Sequence, residues 1–358
     1  MQKELLLIPL FEQFIKESYS GKRLKADGKR IRPQTIANYH YVHKHLIQFS
    51  DSTGFVLRIR PSQKMNKRQL TAERSYWKKF QQQFSAYLYK DAGCYDNYVG
   101  AVFKCIRVFF NWLKNDKLLQ VGEFHKKFYV TKEEVPVIAL MPEQLGFLIS
   151  HKEFELSLPP ALQRTKDVFI FGCTVALRFS DIFNIKFRDI ELMNGKHYLA
   201  VRSLKTETIT RVQLPDYIVG IVEAYKKKAG RRQNLFPEIS LNQFNKNLRQ
   251  LAERAGWTHE LGKTRSKRGL RVVVYKNEKG ICHRFCDLIT SHVMRRTAIT
   301  TMLMLGMPEH IVRKISGHAA NSKAFYRYVN FAQSYLDTAV NQVFDKLVNN
   351  TGREPAVA

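Results

Sequence analysis

Apolar residues return at helical intervals through the first 115 residues, and that spacing confines this part of the chain to packed helices. Ile36, Tyr39, Val42, Leu46 and Phe49 form one stripe after Thr35, which reads as an N-cap. Trp77, Phe80, Phe84, Tyr87 and Leu88 form a second after Thr71. Val99, Val102, Phe103, Ile106, Phe109, Phe110 and Leu113 form a third, entered through Asp96 and Asn97. Residues spaced this way share one helix face and bury together. The aromatics are therefore expected in a core, although aromatic side chains also serve as platforms for stacked bases. The basic stretch 22–32, interrupted by Gly28, reads as a mobile loop or arm.

The pattern changes after residue 120. Residues 121–136, ending in Lys132, Glu133 and Glu134, read as a linker, and Pro142 suits the first turn of a new helix. The expected division is a helical domain over 1–130, a second domain over 136–345, and a tail over 346–358. The second domain reads as mainly α with one small antiparallel β-sheet. Helices are expected at 165–175, 217–228, 241–255, 291–305 and 308–315. Residues 197–203 and 208–214 alternate like strands, with Lys205 in the turn between them. Residues 263–284 carry eight Lys and Arg against one acid around the β-rich 271–275, and read as a hairpin pressed against phosphates.

Charge narrows the partners. The chain has 59 Lys and Arg against 31 Asp and Glu, a net charge of +28. Residues 1–135 hold 25 against 12 and the remainder 34 against 19, so both halves are basic. A surplus spread over the whole chain points to a polyanion, and nucleic acid is the expected one. Five cysteines without CxxC pairs suit a reducing compartment, and a cytoplasmic protein is expected. Cys282, His283 and Cys286 lack a second ligand pair, so no metal is expected. Gly262-Lys263-Thr264 is misplaced for a phosphate-binding loop, because Gly256 lies one residue too far away. No apolar run approaches the ~20 residues of a membrane span.

Scattered residues of the second half suit phosphoryl transfer. Attack on a phosphodiester gathers negative charge on nonbridging oxygens, which fixed cations stabilise. Arginine suits the task because its planar fork donates two parallel hydrogen bonds. His292, Arg295 and Arg296 follow Ser291 at positions that share one helix face. Arg178 ends the apolar run 168–177 and precedes Asp181, so taken alone it reads as an ion-pair partner more readily than as a catalyst. Gly317 fits a left-handed C-cap that places His318. Tyr326 and Tyr328 follow. A tyrosine hydroxyl has a pKa of about 10 and needs neighbouring cations to attack.

These segments resemble the tyrosine recombinase (phage integrase) family. Phe171-Gly172-Cys173-Thr174-Val175-Ala176-Leu177-Arg178 is similar to its first arginine box. Ser291-His292-Val293-Met294-Arg295 is similar to its His-x-x-Arg box, and Ile315-Ser316-Gly317-His318 with Phe325 and Tyr328 to its nucleophile segment. The style of the boxes is nearest to compact integrases of Bacteroides-type mobile elements. Two departures stand out. Ala176 replaces a frequent glycine, which a helical backbone would tolerate. The usual nucleophile position, nine residues after His318, is Arg327, so one inserted residue brings Tyr328 into register ahead of Tyr326.

The resemblance implies a site-specific recombinase that forms a 3′-phosphotyrosyl intermediate without metal or cofactor. It implies Arg178 and Arg295 as phosphate clamps, Lys205 as proton donor to the leaving oxygen, His292 as base, His318 as phosphate ligand and Tyr328 as nucleophile. Arg265, Lys267, Arg268, Arg271 and Arg296 are expected on DNA. The implied partners are double-stranded DNA at recombination sites, a homotetramer formed on it, and accessory DNA-bending proteins. The helical spacing of Leu336, Val340, Val343 and Leu347 suits docking on a neighbouring protomer or on the chain's own domain. Two competing readings are an inactive DNA-binding regulator and a type IB topoisomerase.

Overall fold

The computed structural model describes residues 4–63, 65–202 and 209–350, without the side chains of 210, 338, 339 and 342–350. It divides into two compact units: Met1–Val135 with Lys263–Val274, and Pro136–Gly262 with Tyr275–Ala358.

The first unit is built on β1 (Leu5–Leu6), α1 (Leu7–Ser20), α2 (Pro33–Thr53), β2 (Arg58–Ile59), α3 (Lys67–Lys90) and α4 (Asp96–Asn115). The strands β1 and β2 pair antiparallel, Leu5 opposite Ile59. The three apolar stripes are the buried faces of α2, α3 and α4. Their aromatics interlock: Phe49 meets Phe84 at 5.1 Å and Trp77 meets Phe110 at 5.0 Å. They are core, as the periodicity requires. The expected caps are displaced. The helix α2 begins at Pro33, two residues before Thr35. Asn66 caps α3 by a reciprocal box with Gln69, leaving Thr71 inside the helix. Residues 22–32 are non-helical, and Arg23 rests 4.5 Å over the Phe14 ring.

The second unit opens with α5 (Pro142–Ser150), α6 (Lys152–Ser157), α7 (Pro160–Val175) and α8 (Phe179–Ile182). A three-stranded antiparallel sheet follows: β3 (Ile190–Met193), β4 (Lys196–Arg202) and β5 (Ile209–Gln213). Leu199 at its centre pairs with Ile190 on one side and Val212 on the other, and is fully buried. Lys205 lies outside the described residues. Next come α9 (Asp216–Lys227) and α10 (Leu241–Arg254), then the hairpin strands β6 (Lys263–Lys267) and β7 (Leu270–Val274). The chain ends in α11 (Phe285–Leu288), α12 (Ser291–Met304), α13 (Glu309–Ser316) and α14 (Lys323–Asn350).

The helix α12 is the axis of this unit. Val293, Met294, Thr297, Ala298, Ile299 and Thr300 are all buried. It lies so close to α7 that a Cβ on Gly172 would stand 2.6 Å from the Met294 sulfur. Glycine there is what lets the two helices meet. The Thr297 hydroxyl accepts the Leu140 N–H at 2.9 Å, so even the polar groups of α12 are used internally.

Two boundaries differ from expectation. The helix α14 runs unbroken through residue 345 to Asn350, so no tail begins at 346. The β6–β7 hairpin, placed by its sequence within the second domain, groups with the first unit instead. Its two-residue turn has Arg268 at φ 55° and Gly269 at φ 79°, the geometry of a type I′ turn. Both turn N–H groups are taken by the buried Asp96 carboxylate, at 2.8 and 2.9 Å, and the Tyr89 hydroxyl bonds the same carboxylate at 2.7 Å. The Glu133 carboxylate accepts Arg265 Nε at 2.5 Å and the Ser266 N–H. Two acids at the rim of the first unit thus hold a hairpin that belongs, in chain order, to the second.

Candidate active site

The left-handed end of α7 starts the site. Ala176 has φ 56° and ψ 19° and is fully buried, so the tolerance expected from a helical backbone does not apply. An L-residue in that region costs about 1 kcal/mol or more, which explains why glycine is frequent there. The reversal presents the Ala176 carbonyl to Arg295 and leads through Leu177 to Arg178, the extended residue that opens α8.

Arg295 lies on α12 and is 4% exposed. Its Nη1 donates to the Ala176 oxygen at 2.8 Å, and its Nη2 donates to the Ser316 oxygen. A guanidinium has five N–H donors, so the fork is fixed from behind while Nε and the second Nη1 hydrogen remain for an anion. Burial, then the charge of Arg178, lowers its pKa to about 10, while Tyr328 and Asp181 act against that shift. Arg178 is partly exposed, and its Nη1 stands 3.8 Å from the buried Asp181 carboxylate. Both readings of Arg178 therefore meet in one residue. The ion pair orients it, and its charge still acts on Arg295 and His318.

His318 follows the left-handed Gly317 that ends α13, as the sequence predicts. Its N–H donates to the Arg313 carbonyl at 2.9 Å. Ser316 Oγ lies 2.8 Å from Nδ1, and Arg295 Nη2 lies 3.5 Å from the same nitrogen. With Nδ1 engaged, Nε2 is the nitrogen left for a substrate oxygen. Burial and the charges of Arg295, Arg178, Arg313 and His292 push the His318 pKa down to about 4. The ring is therefore neutral at pH 7, among cations.

Tyr328 lies on the first turns of α14, 8% exposed, with its ring 6.0 Å from that of His318. The Arg296 guanidinium is close enough for Tyr328 to act on it. Burial lowers the Arg296 pKa, and Tyr328 opposes the shift. Tyr326 is 53% exposed. His292 is exposed at the start of α12, near enough for its charge to act on His318. The structure thus brings Arg178, His292, Arg295, His318 and Tyr328 together in the second unit. Arg296 joins them beside the tyrosine.

The other residues expected on DNA lie in the hairpin. Arg265 is paired with Glu133, and its guanidinium stands 5.3 Å over the Tyr95 ring. Arg268 stands 5.4 Å over Tyr89. Lys267 is half-buried and Arg271 is exposed. Ser316, which supports both Arg295 and His318, was not singled out by chemistry, although it stands inside the motif Ile315-Ser316-Gly317-His318. Arg313 also sits against the site without a sequence signal of its own, since its charge acts on His318.

This arrangement can bind a phosphodiester between fixed cations and present a hydroxyl to it. Residues 159–334 match the phage integrase family. Among solved structures, the chain resembles a lambda integrase dimer bound to a COC′ core site, at TM-score 0.55 and 13% identity, covering 91% of this chain and 77% of that one. It resembles the Tn1549 transposon integrase in complex with circular intermediate DNA, at 0.57 and 14%, covering 90% and 95%. It also resembles the XerH recombinase bound to palindromic difH substrate, at 0.57 and 12%, covering 93% and 95%. No curated protein matches it by sequence. The family domain marks an enzyme of DNA strand breakage and rejoining, a tyrosine recombinase, and the fold agrees with it. Residues 159–334 form a phage integrase family domain.

Proposed function

We propose that the protein is a site-specific recombinase that cuts duplex DNA with Tyr328 and reseals it to a second strand. The observation that carries this reading is the gathering of Arg178, Arg295 and His292 around His318, whose ring lies 6.0 Å from that of the nearly buried Tyr328. The scissile phosphate sits between the remaining donors of Arg295 and those of Arg178, and Nε2 of His318 donates to a nonbridging oxygen. That tautomer requires Nδ1 to accept a hydrogen bond, and the donor that faces it is Arg295 Nη2 at 3.5 Å, because the Ser316 hydroxyl donates to the Val312 carbonyl at 2.7 Å.

Tyr328 Oη attacks phosphorus, and the bond from phosphorus to the 5′ oxygen breaks. The phenolic proton passes to His292, and the leaving oxygen takes a proton from Lys205. Arg296 steadies the phenolate that forms on the way. The product is a 3′-phosphotyrosyl ester with a free 5′-hydroxyl. It keeps the energy of the broken bond, so a 5′-hydroxyl from the partner site reverses the attack without a nucleotide cofactor. On this reading the enzyme acts on double-stranded DNA as a homotetramer assembled over two sites, in the cytoplasm, with DNA-bending proteins as accessory factors. Among the described residues no helix is long and apolar enough to cross a membrane.

The test uses a binding site selected from a random duplex library. Plasmids carrying two copies should yield recombinants in the presence of EDTA and without ATP. Relaxation of a one-site plasmid with no exchange between two sites would mark a type IB topoisomerase. Tight binding with no strand breakage would mark an inactive regulator.

A further inference from the structure

Arg313 is buried in a way that its ion pair does not explain. It is 8% exposed, yet its one carboxylate partner among the described residues, Glu309, is 44% exposed and 3.2 Å away. Its Nη1 is buried with no hydrogen-bond partner among the described residues. Taking a guanidinium out of water costs several kcal/mol, and a half-exposed pair returns little of it. An apolar side chain of similar volume would be cheaper at this position.

What Arg313 does contact is the nucleophile segment. Its guanidinium lies 4.0 Å over the Phe325 ring and 5.1 Å over the Tyr326 ring. Phe325 is fully buried, and its ring in turn meets His318 at 5.4 Å and Tyr328 at 6.1 Å, both edge to face. One cation therefore backs the ring against which both His318 and Tyr328 rest. The same cation holds Tyr326, the competing hydroxyl, on its own side. Arginine suits this job because its flat face stacks on aromatic rings.

We propose that Arg313 is a positioning residue that selects the nucleophile: by stacking on Phe325 and Tyr326 it fixes the start of α14 so that Tyr328, and not Tyr326, faces the phosphate cations. This rests on the recombinase reading above. The backbone supports it, since the Arg313 carbonyl also accepts the His318 N–H, so one residue sets both the histidine and the tyrosine.

The experiment traps the covalent adduct on a nicked suicide duplex and maps the modified tyrosine by mass spectrometry. Duplex binding and thermal unfolding are measured alongside. Arg313→Leu keeps the volume and removes the cation. It should bind duplex normally, form adduct at least about 10-fold more slowly, and place part of it on Tyr326. Arg313→Lys retains a cation over the rings and should restore most of the rate and the exclusive use of Tyr328. Glu309→Gln leaves the stack in place and should behave as the wild type. Wild-type rate with Tyr328 alone in Arg313→Leu would overturn the proposal, as would a Glu309→Gln defect equal to that of Arg313→Leu. If Arg313→Leu does not fold, a failure of folded Arg313→Lys to keep the adduct on Tyr328 overturns it, and retention supports it. Absence of any adduct in the wild type would instead sink the recombinase reading itself.

Discussion

Arg295 donates Nη1 to the main-chain carbonyl of Ala176, 2.8 Å away, at the point where α7 reverses into a left-handed turn. A buried cation is thereby aimed by a backbone conformation 119 residues earlier in the chain. The relationship makes Ala176 a measurable control over the site.

Valine at 176 would place a β-branched side chain at φ 56°, where such residues are outliers. Ala176→Val should lose at least about 2 kcal/mol of unfolding free energy in urea titrations and most strand cleavage. Ala176→Gly relieves the left-handed strain but loses a buried methyl and adds unfolded-chain entropy. Its stability should stay within about 1 kcal/mol of wild type, with activity retained. Equal stability of the valine variant would show that the turn is not constrained as described.

The two arginines differ in how they are held, and both are expected to clamp phosphate. Arg178→Lys and Arg295→Lys keep charge but lose the fork. Each should slow cleavage by about 10²-fold or more with duplex binding nearly intact. Arg295→Lys should also destabilise the fold, because the Ala176 and Ser316 carbonyls lose their planar donor. Full cleavage by Arg178→Lys would reduce Arg178 to the ion-pair partner of Asp181.

His318 gives a pH signature. Its folded pKa, about 4, lies below the ordinary value of 6.5, so between those values the unfolded chain binds the extra proton. Stability therefore rises with pH through this window and falls as pH drops through it, by at most about 1.4 kcal/mol per pH unit for one group. His43, His45 and His125, lowered mainly by burial, act in the same sense. Urea titrations from pH 4.5 to 7 should show a shallower slope for His318→Gln. An unchanged slope would mean His318 is not held neutral by its neighbours.

Much of this architecture was legible because burial on a helix repeats every 3.6 residues. The faces of α2, α3 and α4 could be read residue by residue, and so could the Gly317 cap before His318. Other features carry no such period. The displaced caps at Pro33 and Asn66 depend on which of several polar residues wins locally. The strand β3 is four residues long with only Ile190 partly buried, so it lacks alternation. The left-handed turn at Ala176 is occupied by a residue that does not advertise it. The docking of the hairpin on Asp96 and Glu133 joins residues more than 130 positions apart, which no local pattern records. Arg313 was invisible for the same reason, since its value lies in rings of the next helix.

The hairpin bears on DNA affinity. If basic side chains neutralise about 8 phosphates, log affinity should fall against log salt with a slope of about −7. Replacing Lys263, Arg265, Lys267 and Arg268 by alanine should flatten that slope. Glu133→Gln frees Arg265 from its carboxylate and should leave the slope as steep or steeper. A slope unaffected by the fourfold replacement would assign these residues to holding the hairpin on the first unit rather than to DNA.

The central claim is that Tyr328 is the nucleophile of a metal-independent strand cleavage. The direct measurement is covalent trapping on a suicide duplex nicked beside the cleavage point, in EDTA, followed by peptide mapping. Tyr328→Phe removes one hydroxyl and keeps the ring that packs near His318 and Phe325. The adduct should vanish while site binding persists, and Tyr326→Phe should still form it. An adduct that survives Tyr328→Phe and disappears in Tyr326→Phe would contradict the assignment, and one that survives both would contradict the mechanism.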